Sequence, residues 1–280
     1  METGRAYTMQ QQNNKKEKSN LVLSIHVHLN GFSFFIHEIA SKKASGFFSK
    51  TFTEPIPIEQ LHKEIQAELK KQLILQKSFN EVRCSVENNL ATLVPKSLFE
   101  ENALQEYVEK DLDLRPNDFV TYDQLEDQDW ITVYVPFVNV NNMLIDAFGS
   151  FKYYHAVSVW LRALDRHNKA DGEYVWGIYK ENNHIHTALL QNKKLMFYNC
   201  FEAKTPKDVA YYVLLSAKKY GISPNEIPLF VVGDIAAEDA TFNALYEFVR
   251  SINLLEPNHK LTFASPRLNQ HQNFCLLNLF

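Results

Sequence analysis

Twice along this chain, three strand-like runs are followed by an amphipathic helix, and that repetition is the strongest constraint on the fold. The first copy runs through "LVLSIHVHL", then "FSFFIHEIA" after an Asn30-Gly31 turn, then "GFFSKTF". An Asn-Gly pair between alternating apolar runs predicts a hairpin. In "PIPIEQLHKEIQAELKKQLIL", Leu61, Ile65, Leu69 and Leu73 recur four apart, which predicts one buried helical stripe. The second copy reads "EYVWGIYKE", "HIHTALLQ" and "KLMFYNCF", with turns at Asn182-Asn183 and Asn192-Lys193. Its helix, "TPKDVAYYVLLSAKKYG", has Thr205 to cap, Pro206 for the first helical position, Asp208 for the helix dipole and Gly221 to close. Val209, Tyr212, Val213 and Tyr220 mark its expected buried face.

Further elements lie between and after the copies. "RCSVENNLATLV" reads as a hairpin through Asn88-Asn89, and "SLFEENALQEYVEKDL" as a helix with Ser97 and Glu100 at capping-box spacing. Strands are expected near Phe119 to Tyr122 and Ile131 to Val135, and a helix from about Val140 to Phe148 stopped by Gly149. "SFKYYH" predicts a strand, and "AVSVWLRALDRH" a helix that crosses between lobes. Asp171-Gly172 is the natural boundary. The second copy continues with a buried strand, "IPLFVVGDI", and a helix from about Asp239 to Arg250 with Phe242, Leu245, Tyr246 and Val249 inward. A strand "KLTFAS" follows. The expected organisation is a disordered tail over 1–20, a first lobe with inserted elements over 21–170 and a second lobe over 171–280.

Composition narrows the functional classes. The 280 residues carry 29 Lys and Arg against 33 Asp and Glu, a formal charge of -4, so no global attraction draws the chain to nucleic acid or anionic membrane. Direct nucleic-acid binding is not expected. The three cysteines have no C-x-x-C spacing, which speaks against a disulfide framework and a thiolate zinc site. No apolar run reaches the roughly 18 residues of a membrane span, and residues 1–20 have no secretory apolar core. The expectation is a cytoplasmic protein without membrane insertion.

Two lobes of this order resemble the actin-like ATPase fold, within the ribonuclease-H-like architecture. More narrowly, "VLSIHVHLNGFSFFI", "ATLVPKSLFEENALQEYV" and "VYVPFVNVNNMLIDAFG" resemble a Bacteroidetes family of unknown function assigned to that fold. The resemblance covers about Leu21 to Phe280. It implies a two-lobed α/β protein in which each lobe has a mixed sheet of three initial strands plus alternating helices and strands. It carries no activity with it.

Working ATPases of that fold hold nucleotide between the lobes with an Asp-x-Gly hairpin in each lobe and a Gly-rich adenosine loop. Glycine admits phosphate to the backbone amides and the acid organises Mg²⁺ and water. Here the first hairpin reads "SIHVHLNG", with His26 where the acid belongs and Gly31 in the turn. The second, "GIYKENNH", has no Asp, and "VVGDIAAED" offers Gly233 alone. His26, Asn30, Gly31, Gly233 and Asp234 are therefore the candidate cleft residues, with no catalytic residue, metal site or cofactor expected.

The pairs His26/His28 and His184/His186 each share a strand face. Two ligands do not make a metal site, and they read as strand histidines. The acidic run Asp123, Glu126, Asp127 and Asp129 reads as a solvated connection. The leading expectation is a non-catalytic module that binds a protein partner. The alternative is a nucleotide or small-anion binder that uses the interlobe cleft.

Overall fold

The computed structural model describes residues 19–279 apart from 54–55, 110–111, 113, 116–117, 168–173, 258–260 and 264–269. Asp171-Gly172 and nearly all of the expected tail lie outside the described residues. In chain order, β1 (Leu21–His28), β2 (Gly31–Glu38) and β3 (Lys43–Thr51) lead into α1 (Ile58–Lys71) and β4 (Glu81–Glu87). Then come β5 (Ala91–Pro95), α2 (Leu104–Glu109), β6 (Thr121–Gln124), β7 (Trp130–Tyr134), α3 (Val138–Phe148), β8 (Lys152–His155) and α4 (Ala156–Asp165). The second half has β9 (Tyr174–Glu181), β10 (His184–Gln191), β11 (Lys194–Glu202), α5 (Pro206–Tyr220), β12 (Leu229–Gly233), α6 (Ala240–Tyr246) and β13 (Ile252–Leu254). β14 (Thr262–Phe263) and α7 (Phe274–Leu277) follow.

The two copies build two mixed sheets, in the orders β14-β3-β2-β1-β4-β8 and β11-β10-β9-β12-β13. Period-two alternation sorts each strand between its faces. On β1, Leu23, Ile25 and Val27 join the core under α1 and α3, while Ser24, His26 and His28 point the other way. On β10, Ile185 and Leu189 pack under α5 and α6, while His186, Ala188 and Leu190 face the first lobe. Leu61, Ile65 and Leu69 of α1 are fully buried, each contributing roughly 1.5–3 kcal/mol of transfer free energy. Leu73 departs from the expected stripe: it lies past the helix, at φ 57° and 55% exposed. Tyr246 and Tyr220 are likewise exposed rather than inward.

α4 sits between the lobes, as its apolar face predicts. Trp160, Leu161 and Leu164 are fully buried in a cluster that includes Val175, Tyr179 and Leu190 of the second sheet. Leu164 packs so closely on Gly177 that a Cβ there would stand 2.5 Å from Leu164 Cδ2. Among the described residues no helix is long and apolar enough to cross a membrane.

Further local expectations are corrected. The Asn88-Asn89 stretch does not turn a hairpin: β4 pairs in parallel with β1 and β8, and β5 leaves for a third, antiparallel sheet, β5-β7-β6. The cause is the Asn88 side chain, which donates to Val135 O at 2.9 Å and accepts from Leu90 N at 2.8 Å, steering the exit toward β7. The capping box at Ser97 and Glu100 is not formed. Two single turns precede α2, and the Tyr107 hydroxyl donates to Leu98 O and accepts from Glu100 N, each at 2.8 Å. The first hairpin turns through Leu29-Asn30, because Gly31 already pairs with His28. Asp123 is not solvated but buried on β6, where Tyr134, Ser158 and the backbone of His155 donate to it. Burial pushes its carboxyl up to about 7 against those three hydrogen bonds.

Other local expectations match. Thr205 and Asp208 form a capping box on α5, and Gly221 closes it at φ 68°. Asn192 and Lys193 both have positive φ, the backbone of a tight two-residue hairpin. β14, read from the sequence within the second lobe, instead pairs with β3 of the first sheet.

Candidate functional site

The inner faces of the two sheets meet along a polar seam. Alternation on β1 and β4 brings His26, His28, Ser85 and Glu87 to one side of it, since His26 pairs with Ser85 and His28 with Glu87 in the parallel ladder. Alternation on β9, β10 and β11 brings Tyr179, Glu181, His186, Tyr198 and Cys200 to the other, with His186 opposite both Tyr179 and Cys200.

Among the described residues, four polar contacts cross the seam. His186 Nε2 stands 3.0 Å from Glu87 Oε1, and both side chains are almost wholly buried. His28 Nδ1 lies 3.5 Å from Glu181 Oε1. The two hairpin turns touch directly, as Asn30 Nδ2 donates to Asn182 Oδ1 at 2.7 Å. Asn182 Nδ2 also approaches His28 Nδ1 at 3.5 Å.

The charges along the seam follow from burial and neighbours. Burial alone would depress the His186 imidazolium, but Cys200, Tyr198 and Glu87 around it outweigh that and hold its pKa well above the ordinary range. Burial would likewise raise Glu87, yet His186, with His155 and His26 further off, draws it below the carboxylate range. The pair is therefore ionised on both sides. Glu181 behaves oppositely: burial, then the nearby Asp234 and Glu87 carboxylates, pushes it well above its ordinary value. It accepts from the Tyr179 hydroxyl at 3.1 Å. Burial, with His28 beside it, lowers His26 to about 3, and its Nδ1 lies 2.7 Å from Ser85 Oγ. Burial also lowers His28 and takes His155 down to about 4.

The expected cleft residues lie around this seam in specific roles. His26 lines it, and Asn30 ties one turn to the other. Gly31 begins β2, where a Cβ would stand 2.2 Å from Lys50 O. Gly233 ends β12 at φ +87°, and a Cβ there would be 2.0 Å from Lys180 O. Asp234 Oδ2 accepts from Asn182 N at 3.0 Å and its own N–H donates to Lys180 O at 2.8 Å, so it braces the second hairpin turn. His184 lies at the half-buried margin, beside His186.

Sequence reasoning passed over Glu87, Glu181 and Tyr198. A signal for the two acids was present: the tripeptide Glu-Asn-Asn occurs at 87–89 and again at 181–183. In both places the Glu ends a buried strand, but the first Asn acts differently: the Asn88 side chain steers the exit toward Val135, whereas that of Asn182 bonds to Asn30 across the seam.

A family model described as "Protein of unknown function (DUF3822)" matches residues 10–252. No curated protein matches the sequence. Among solved structures, a Bacteroides thetaiotaomicron protein with actin-like ATPase fold and unknown function superposes with a TM-score of 0.78 at 18% identity. That match covers 93% of this chain and 96% of the other. A PilM–PilN type IV pilus biogenesis complex matches with a TM-score of 0.56 at 12% identity, over 94% of this chain and 98% of that one. The fold is that of actin-like ATPases.

Proposed function

Since the chain belongs to the DUF3822 family of proteins of unknown function, we propose that it is a non-catalytic, actin-like module of the cytoplasm that acts by binding a protein partner. One observation carries the reading: the hairpin turns that would flank a nucleotide's phosphates are hydrogen-bonded to each other, Asn30 to Asn182 at 2.7 Å. Behind that contact the buried His186–Glu87 pair fills the space between the sheets. A phosphate entering between the turns would have to displace the Asn–Asn hydrogen bond and approach Glu87, a carboxylate, with no cationic Lys or Arg among the four contacts that cross the seam. Gly233 and Asp234 are engaged in the β9–β12 junction, which leaves them serving the lobe's own backbone. These features together support a degenerate nucleotide site.

A partner protein fits the remaining scaffold. A structurally similar chain comes from a PilM–PilN type IV pilus biogenesis complex, so a protein of this shape can work through protein contacts. Purification of the tagged chain at native levels with cross-linking mass spectrometry tests the reading. A reproducible stoichiometric protein partner is expected. A strictly monomeric species with no reproducible cross-link would count against it, and ATP turnover by the purified chain would overturn it.

A further inference from the structure

On the edge of the first lobe, away from the seam contacts, β4, β8 and α4 enclose a pocket of about 170 Å³. Its charge is built by a strand ladder and a helical stripe. Arg83 and Lys152 are neighbours in the parallel β4–β8 ladder. Ser158 and Arg162 on α4, with Arg166 at its C-cap, follow one another at four-residue spacing and so form one helical stripe. Residues Asn278 and Leu279 close the end.

Four of the described lining side chains are cationic and none is a carboxylate. Glu81 stands outside the lining and serves two of them, at 2.6 Å from Arg83 and 2.9 Å from Lys152. Arg83 is held further by Leu279 O at 2.6 Å, which fixes its guanidinium in the pocket wall. Its Nε–H is buried and without a hydrogen-bond partner among the described residues. This concentration of positive charge occurs on a chain whose formal charge is -4. Clustered cations repel one another, and a preformed guanidinium wall is the arrangement that an oxyanion offsets best. At about 170 Å³ the pocket falls below the roughly 300 Å³ at which sites for whole organic ligands begin, so it suits one anionic group.

We propose that this pocket binds a phosphate dianion, free or at the end of a small monoester, with Arg83, Arg162 and Arg166 as its hydrogen-bonding wall. Arg83 supplies the held guanidinium group, Arg162 a second one from α4, and the exposed Arg166 closes over the anion from solvent. The site is independent of the seam and does not rest on the reading of function given above.

Isothermal titration of the full chain at pH 7.5 tests it, with inorganic phosphate, ribose 5-phosphate and ribose as probes and chloride at matched ionic strength as the control. Saturable binding of one phosphate per chain is expected, with none for ribose. Arg162→Gln with Arg166→Gln should weaken it at least ~10-fold, the scale of losing charge-assisted hydrogen bonds. Arg166→Gln alone, at an exposed position, keeps the test open if the double variant folds poorly, and should weaken binding by about 3-fold or more. Lys50→Gln, a surface cation elsewhere, should leave it unchanged. Tighter binding of ribose 5-phosphate than of phosphate would identify the monoester as the ligand, and equal binding the free anion. Heats that match chloride, or affinity unmoved by the arginine substitutions, would overturn the proposal.

Discussion

His186 and Glu87, 99 residues apart in sequence, meet at 3.0 Å across the lobes with side chains only 1% and 5% exposed. A charged pair so deeply buried adds little net stability over an apolar pair of the same shape, but leaving one member alone is costly. It therefore fixes how the lobes sit on each other.

Glu87→Gln should cost about 3–5 kcal/mol in urea unfolding, because it strands His186 in the seam. Glu87→Gln combined with His186→Phe should cost less than the sum of the two single changes. The pH dependence follows from the two shifts. His186, raised in the folded state, contributes fully below its unfolded value of 6.5 and loses that contribution as pH rises through its elevated folded pKa. Glu87, lowered, contributes above 4.5 and loses it as pH falls through its depressed folded pKa. The pair's contribution should thus be complete between about pH 5 and 6.5 and shrink on either side. A penalty under ~0.5 kcal/mol would remove the clasp from consideration.

The buried rings of His26 and His155 should stay neutral far into acid. Imidazole nitrogen NMR should show them titrating at about 3 and about 4, while His186 stays protonated through neutrality. Below 6.5 the unfolded chain takes up protons that these two folded rings refuse, so each withdraws stability as pH falls toward its folded value. Asp123, held protonated up to about 7, acts in the opposite sense. That is why the individual rings, and not the overall stability curve, give the decisive reading. Protonation of His26 near 6.5 would mean that the seam is open to water.

Millimolar ATP, ADP or GTP with Mg²⁺ should give no reproducible rise in melting temperature. A site filled at a hundred times its dissociation constant would add about 2.7 kcal/mol, well within measurement. A nucleotide-dependent shift abolished by Asp234→Ala would transfer the reading to a divergent binding loop.

Gly233→Ala should destabilise on the order of 3 kcal/mol, combining positive φ with a clash against Lys180 O that no side-chain rotation relieves. Asp234→Ala, next to it, should cost only about 1 kcal/mol for the lost hydrogen bond to Asn182. Equal melting temperatures for the two variants would show that Gly233 is not needed for the β9–β12 junction.

The repeated three-strand-and-helix order was legible because period-two and period-four patterns need only local sequence, as did the Thr205 cap and the closing Gly221. What escaped was set by partners far away. Asn88 looked like a turn residue because its actual partner, Val135, is 47 positions on. Asp123 looked solvated because the groups that bury it come from β7, β8 and α4. The histidine pairs were visible as strand faces, but their meaning depends on Glu87 and Glu181, and those join them only when two sheets are laid together.

The return of β14 to β3, and of α7 to β1 and β4, has a consequence for the order of synthesis. Leu276 and Leu277 are fully buried against Phe35, an early-made residue. On the ribosome the second sheet, from β9 to β13, is complete as soon as Leu254 has emerged. The first sheet, begun earlier, waits with an open edge at β3 until β14 and α7 have left the exit tunnel. The lobe translated first is the lobe finished last, so a premature stop after β13 would injure the part of the protein encoded farthest from it.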